Sequence, residues 1–95
     1  MSTLSQLIEI AEKAIELQGF ETDRKLSRRA LEEAYEAWKE ENDVVHIMRD
    51  THGWSEMMVA TKSEYQQFEE AKRVEGNAKR RLQSAIKRYQ VATAA

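Results

Sequence analysis

The sequence predicts an all-α fold, a small antiparallel helical bundle built on a long helical hairpin, and three observations carry that prediction. Proline is absent from all 95 residues, so no imino acid interrupts a backbone hydrogen-bond ladder. Alanine, glutamate, lysine, arginine, glutamine and leucine dominate, a composition typical of long helices and coiled coils. Apolar residues recur at three- and four-residue spacing on both sides of one interruption, Asp-Thr-His-Gly-Trp-Ser at 50–55, which holds one of only three glycines. That interruption is expected to be the tip of the hairpin.

The first helix is expected over residues 3–18. Thr3 and Gln6 form a capping-box pattern, and Leu4, Leu7, Ile8, Ala11, Ala14 and Ile15 form its inner stripe, widened by Ile10 and Leu17. Gly19 stands where a left-handed cap would end the helix, with Phe20 folding back over it. A second helix, capped by Thr22 or Asp23, turns Leu26, Ala30, Ala34, Ala37 and Trp38 inward, then Val44 or Val45, then Met48. Leu31 and Tyr35 broaden that face. Its weak point is Asn42-Asp43, and a rival reading pairs residues 44–48 with 57–61 as a β-hairpin. The unbroken helical spacing of Trp54, Met58, Thr61, Tyr65 and Phe68 favours helix.

The third helix starts at Ser55, or at a second capping box formed by Ser63 and Gln66, and runs to residue 90, roughly 50 Å at 1.5 Å per residue. Tyr65, Phe68, Ala71, Val74, Ala78, Leu82, Ala85, Ile86 and Tyr89 line one side. Gly76-Asn77 is expected to kink this helix or to divide it and create a fourth. Residues 91–95 are expected to fray.

Size and composition limit what such a bundle does. The length fits a single domain spanning residues 1–95, with a thin core. Cysteine is absent, which excludes a disulfide framework and a cysteine zinc site. No stretch approaches the roughly 18 apolar residues of a membrane span, and no basic region precedes the first apolar residues. The expected location is the cytoplasm, of the protein's own cell or of a host.

Net charge is −2, unevenly distributed. Lys72, Arg73, Lys79, Arg80, Arg81, Lys87 and Arg88 oppose only Glu75 within residues 72–88, whereas Glu32, Glu33, Glu36, Glu40, Glu41 and Asp43 oppose only Lys39. A reversal at Gly53 places residue i of one arm roughly opposite residue 104 − i of the other at equal helical rise. Arg24, Lys25, Arg28 and Arg29 then lie beside Lys79, Arg80 and Arg81 as one basic patch, and Glu32, Glu33 and Glu36 near Glu69 and Glu70 form an acidic belt. Clustered Arg and Lys suit either an acidic protein surface or nucleic-acid phosphates. Against phosphates stand the net acidity and the absence of a helix-turn-helix spacing.

Other candidates are weaker. Asp43, His46 and Asp50 are spaced i, i+3, i+7, with His52 close by, which on a helix brings them to one face as half of a carboxylate-histidine metal site. The motif occurs once where such sites use it twice, so neither metal nor cofactor is expected. Trp54, beside the turn glycine, is either an exposed anchor for a partner or the cap of its own core. There is no cysteine nucleophile, no glycine-flanked serine elbow and no phosphate-cradling glycine loop. An enzyme is not expected.

With a Gly and a Trp at the turn and no Cys or Pro, the chain superficially resembles the secreted WXG-type helical hairpins. It departs from them where their pattern is specific: the order here is Gly53-Trp54, and Tyr89 is followed at the fourth position by Thr93 instead of an acidic residue. No function carries over. The expectation is a non-enzymatic regulator, adaptor or inhibitor of a larger protein assembly, of the sort phages and bacteria use. It would act through charged helical faces, with Arg24, Arg28, Arg29, Trp54, Lys72, Arg73, Lys79, Arg80 and Arg81 at the partner surface. The alternatives are a nucleic-acid-binding accessory protein using the basic patch and a homo-oligomeric coiled-coil subunit, a homodimer in its simplest form.

Overall fold

The computed structural model describes residues 3–94, all-helical apart from one loop. Three helices follow in order: α1 (Thr3–Glu41), α2 (His52–Ala60) and α3 (Lys62–Thr93). α1 and α3 pack antiparallel as the two arms of a hairpin measuring 64 × 20 × 17 Å. No strand forms among the described residues, so residues 44–61 adopt loop and helix and not the rival β-hairpin.

The seam between the arms is a heptad pattern. On α1 the covered positions are Gln6, Ile10, Lys13, Leu17, Phe20, Arg24, Ser27, Leu31, Ala34 and Trp38, spaced four and three in alternation. On the other arm they are Trp54, Met57, Thr61, Glu64, Phe68, Ala71, Glu75, Ala78, Leu82, Ala85 and Tyr89. This is the spacing that keeps one face of a helix on a neighbour over many turns. Two features make the core thin: among the described residues only Leu31, Met57, Ala78 and Ala85 are buried apolar residues, and several seam positions are polar.

α1 passes straight through Gly19, so the expected division into two helices does not occur and Thr22 and Asp23 are not caps. Glycine costs about 1 kcal/mol in mid-helix, too little to stop a helix whose seam residues Leu17 and Phe20 are covered on either side. The Thr22 hydroxyl donates to the Gln18 carbonyl across that position, 3.1 Å. The same reasoning applies at Gly76: α3 is continuous there, and no fourth helix forms. Its end extends to Thr93, past the expected fraying point. At the other terminus Thr3 is already helical, and the Gln6 amide oxygen is buried without a hydrogen bond among the described residues, so Gln6 does not close a capping box.

α1 ends at Glu41, short of the expected Met48. Val44 N–H donates to the Lys39 carbonyl at 2.8 Å and Asp43 N–H to that of Glu40 at 3.3 Å. This is the Schellman pairing, with Asp43 in the left-handed position at φ 56. Asn42 adds a side-chain bond to the Trp38 carbonyl, 2.8 Å. The reversal thus occupies residues 42–51, earlier than the expected 50–55. Asp50 supplies a second left-handed residue, φ 66, and Thr51 caps α2 by accepting from Trp54 N–H at 3.3 Å. Gly53 and Trp54 therefore lie in the first turn of a helix and not at a hairpin tip.

The second arm is interrupted at Thr61 and not at Gly76. Thr61 leaves helical geometry (φ −107, ψ 17), yet its buried hydroxyl donates to the Met57 carbonyl at 2.8 Å and its own carbonyl accepts from Tyr65 N–H at 3.0 Å. α2 and α3 consequently keep one seam phase across the joint.

Candidate interaction surfaces

Three ion pairs cross between the arms and mark their register. Arg24 Nε meets Glu75 Oε2 at 2.8 Å, Arg81 meets Glu16 at 3.2 Å and Arg88 meets Glu9 at 2.6 Å. The paired residue numbers add to 99, 97 and 97, against the expected 104. The difference of about six residues separates the two basic clusters: Arg28 and Arg29 stand roughly 14 Å along the rod from the level of Lys79. The merged basic patch therefore does not form. The acidic belt shifts for the same reason: Glu69 and Glu70 lie level with Arg28 and Arg29, with Glu32 and Glu33 about 5–6 Å and Glu36 about 10 Å or more further along the rod.

Each expected surface residue has a definite place. Arg24 is a seam residue, partly buried and engaged by Glu75. Arg81 is held by Glu16. Arg28 pairs with Glu32 one turn along its own helix, 3.2 Å, and Arg29 is exposed on the outer side of α1. Lys72 pairs with Glu69 at 2.8 Å and lies over the Phe68 ring, 4.8 Å from its centroid. Arg73 forms a two-pronged pair with Glu70 at 3.0 and 2.5 Å. Arg80 donates to the Asn77 side chain. Lys79 and Lys87 are exposed and make no ion pair among the described residues. Trp54 is half-buried at the seam's end.

Lys72, Arg73, Lys79, Arg80 and Lys87 thus form an outward basic row on α3 over roughly 22 Å. At the loop half of the rod, α1 presents Glu32, Glu33, Glu36, Glu40 and Glu41, all exposed. The hairpin separates charge along its length.

A third surface is apolar, and the periodicity of α1 had assigned it to the interior. Leu4, Leu7, Ile8, Ala11, Ala14 and Ile15 are all exposed. At 100° per residue this stripe lies about 130° around the helix from the seam residues beside it, Gln6, Ile10, Lys13 and Leu17, on the side away from α3. Only the residues that merely widened the expected face, Ile10 and Leu17, enter the seam.

Titration is perturbed at few places. Burial, then the neighbouring Tyr65, raises the pKa of Tyr35, whose hydroxyl points at Met58 Sδ at 3.5 Å. The hydrogen bond from Arg73, and after burial's opposing effect its positive charge, lowers that of Glu70. Asp43, His46 and Asp50 lie in the loop, so the helical spacing that would bring them to one ion does not exist. His52 faces Glu56 at 2.8 Å. Among the described residues no three His, Cys, Asp or Glu side chains converge as metal ligands, and no helix is long and apolar enough to cross a membrane. No protein-family model, curated protein or solved structure matches this chain.

Proposed function

We propose that the protein is a non-enzymatic helical-hairpin regulator, adaptor or inhibitor that binds a larger protein assembly through its charged outer faces. The observation that supports this reading is the lengthwise separation of charge. The basic row of α3, centred on Lys79 and Arg80, and the acidic row of α1, centred on Glu36, are centred about 26 Å apart along one rod. Complementary charge on a partner steers encounter and fixes orientation, and a rod held in register by three cross-arm ion pairs presents its rows at fixed spacing. Lys79 and Arg80 carry the contact in this reading. Arg24 and Arg81 act by holding the register, and Trp54 closes the seam.

The nucleic-acid reading draws less support, because Arg24, Arg81 and Arg88 point at carboxylates and leave fewer cations for phosphate. Affinity capture with the wild type and with a Lys79→Glu, Arg80→Glu variant, each with and without nuclease, tests the choice. A bound protein retained after nuclease and lost with the variant is the expected result. Nuclease-sensitive capture that falls steeply with salt would transfer the basic row to nucleic acid, and capture indifferent to the variant would remove the row from function.

A further inference from the structure

We infer that the outer apolar stripe of α1 is a self-association surface, occupied by α1 of a second copy of this chain running antiparallel. The inference concerns a different surface from the charged rows and does not depend on their partner. Leu4 is 67 % exposed, Leu7 43 %, Ile8 50 % and Ile15 72 %. They share one side of a rigid helix, at the positions a coiled-coil seam uses, and no charged residue interrupts them there.

Area argues for a partner of this kind. A compact monomer of 11.1 kDa exposes about 5,700 Å² by the usual size scaling, whereas this chain exposes 7134 Å². The excess, about 1,400 Å², is what the elongated rod leaves uncovered along its whole length, and the roughly 800 Å² that a standard interface takes from each partner fits within it. The hairpin alone has four buried apolar residues among those described, a small return for two long ordered helices. A second copy offers the same stripe, so one surface supplies both halves of an isologous interface.

Charge selects the direction. Beyond Leu26 the same side of α1 continues as Arg29, Glu33, Glu36 and Glu40. In a parallel pair these carboxylates would face their own equivalents along the helix, an unfavourable arrangement. The antiparallel pair sends the two acidic segments to opposite ends. It sets Leu4 against Ile15 of the second copy and Ile8 against Ala11, large against small, with the two-fold axis between Ile8 and Ala11.

Light scattering at up to about 1 mM chain, a range that detects even weak dimers, is expected to give twice the 11.1 kDa of one chain. Ile8→Glu with Ile15→Glu should yield a monomer with unchanged helical circular dichroism, because both side chains already face solvent in the hairpin. Val59→Glu, an equally exposed position on α2, should leave the dimer intact. Direction is read by crosslinking, which the absence of native cysteine makes clean. Leu4→Cys chains mixed with Ile15→Cys chains should form a disulfide-linked dimer more readily than either alone. A monomeric wild type, a dimer that survives Ile8→Glu with Ile15→Glu, or preferential crosslinking of Leu4→Cys chains to each other overturns the inference. None of these outcomes bears on capture through Lys79 and Arg80, so the two readings fail separately.

Discussion

Gly19 and Gly76 occupy mid-helix positions where the chain uses neither their conformational freedom nor their small size. A Cβ built on either meets nothing within 4 Å, so each carries only the entropic cost of glycine. Gly19→Ala and Gly76→Ala should each raise unfolding free energy by about 0.5–1 kcal/mol, seen as higher urea midpoints with unchanged slope. Asp43 is the converse case. It holds a left-handed conformation that costs L-residues roughly 1–2 kcal/mol, less for Asp, and places a carboxylate at the negative end of α1. Asp43→Gly should therefore stabilise by about 1 kcal/mol in the same assay. A further residue-scale prediction concerns Glu70, whose pKa is depressed by its bond to Arg73. Its contribution to stability is present above the unfolded glutamate value and is lost as pH falls through the lowered folded value. An NMR titration should place Glu70 below ordinary glutamate, and Arg73→Gln should return it upward.

At the scale of elements, the Arg24–Glu75 pair decides how the arms meet. Its side chains are 25 % and 16 % exposed, so it is less screened than the surface pairs and removing one partner strands a half-buried charge. Glu75→Ala should cost about 1–2 kcal/mol, between the values for exposed and buried pairs. Replacing both with leucine should recover the stability, since a well-packed apolar pair matches a buried ion pair, while weakening the register that the charge pair specifies. A double-mutant cycle with cysteine crosslinking across the seam measures both effects. Elsewhere in the seam Leu31 is 6 % exposed and is the largest aliphatic side chain in the buried core. Leu31→Ala should cost about 2–4 kcal/mol, seen as a lowered denaturation midpoint.

The whole molecule is a rod whose arms cover one side of each other and leave the rest to solvent. If two copies join along α1, thermal stability depends on concentration through mass action. The melting temperature of the wild type should rise on dilution series run toward higher concentration, while that of the Ile8→Glu, Ile15→Glu variant should stay flat.

Helix class, the presence of one mid-chain reversal and the charge asymmetry were legible in the residues, whereas the reversal's place, residues 42–51 instead of 50–55, was not. Propensity, missing proline and local spacing act over a few turns, and the linear sequence contains everything they need. The division at Gly19, the break at Gly76 and the merged basic patch were not legible, because each depended on what lies across the seam. A glycine interrupts a helix only when covered neighbours do not offset its cost, and Leu17 and Phe20 do so for Gly19. The facing of α1 was the hardest feature to read. Its first half carries two apolar faces, and periodicity favours the more continuous one, Leu4 through Ile15. The fold uses the other, interrupted by Lys13, Arg24 and Ser27, because that face alone keeps heptad phase from Gln6 to Trp38 opposite Trp54 to Tyr89. Local chemistry therefore determined that the chain is helical and where its charges lie along it. Long-range pairing decided which face is interior and which cations remain free, since a helix face is buried only when a distant segment matches it along its full length.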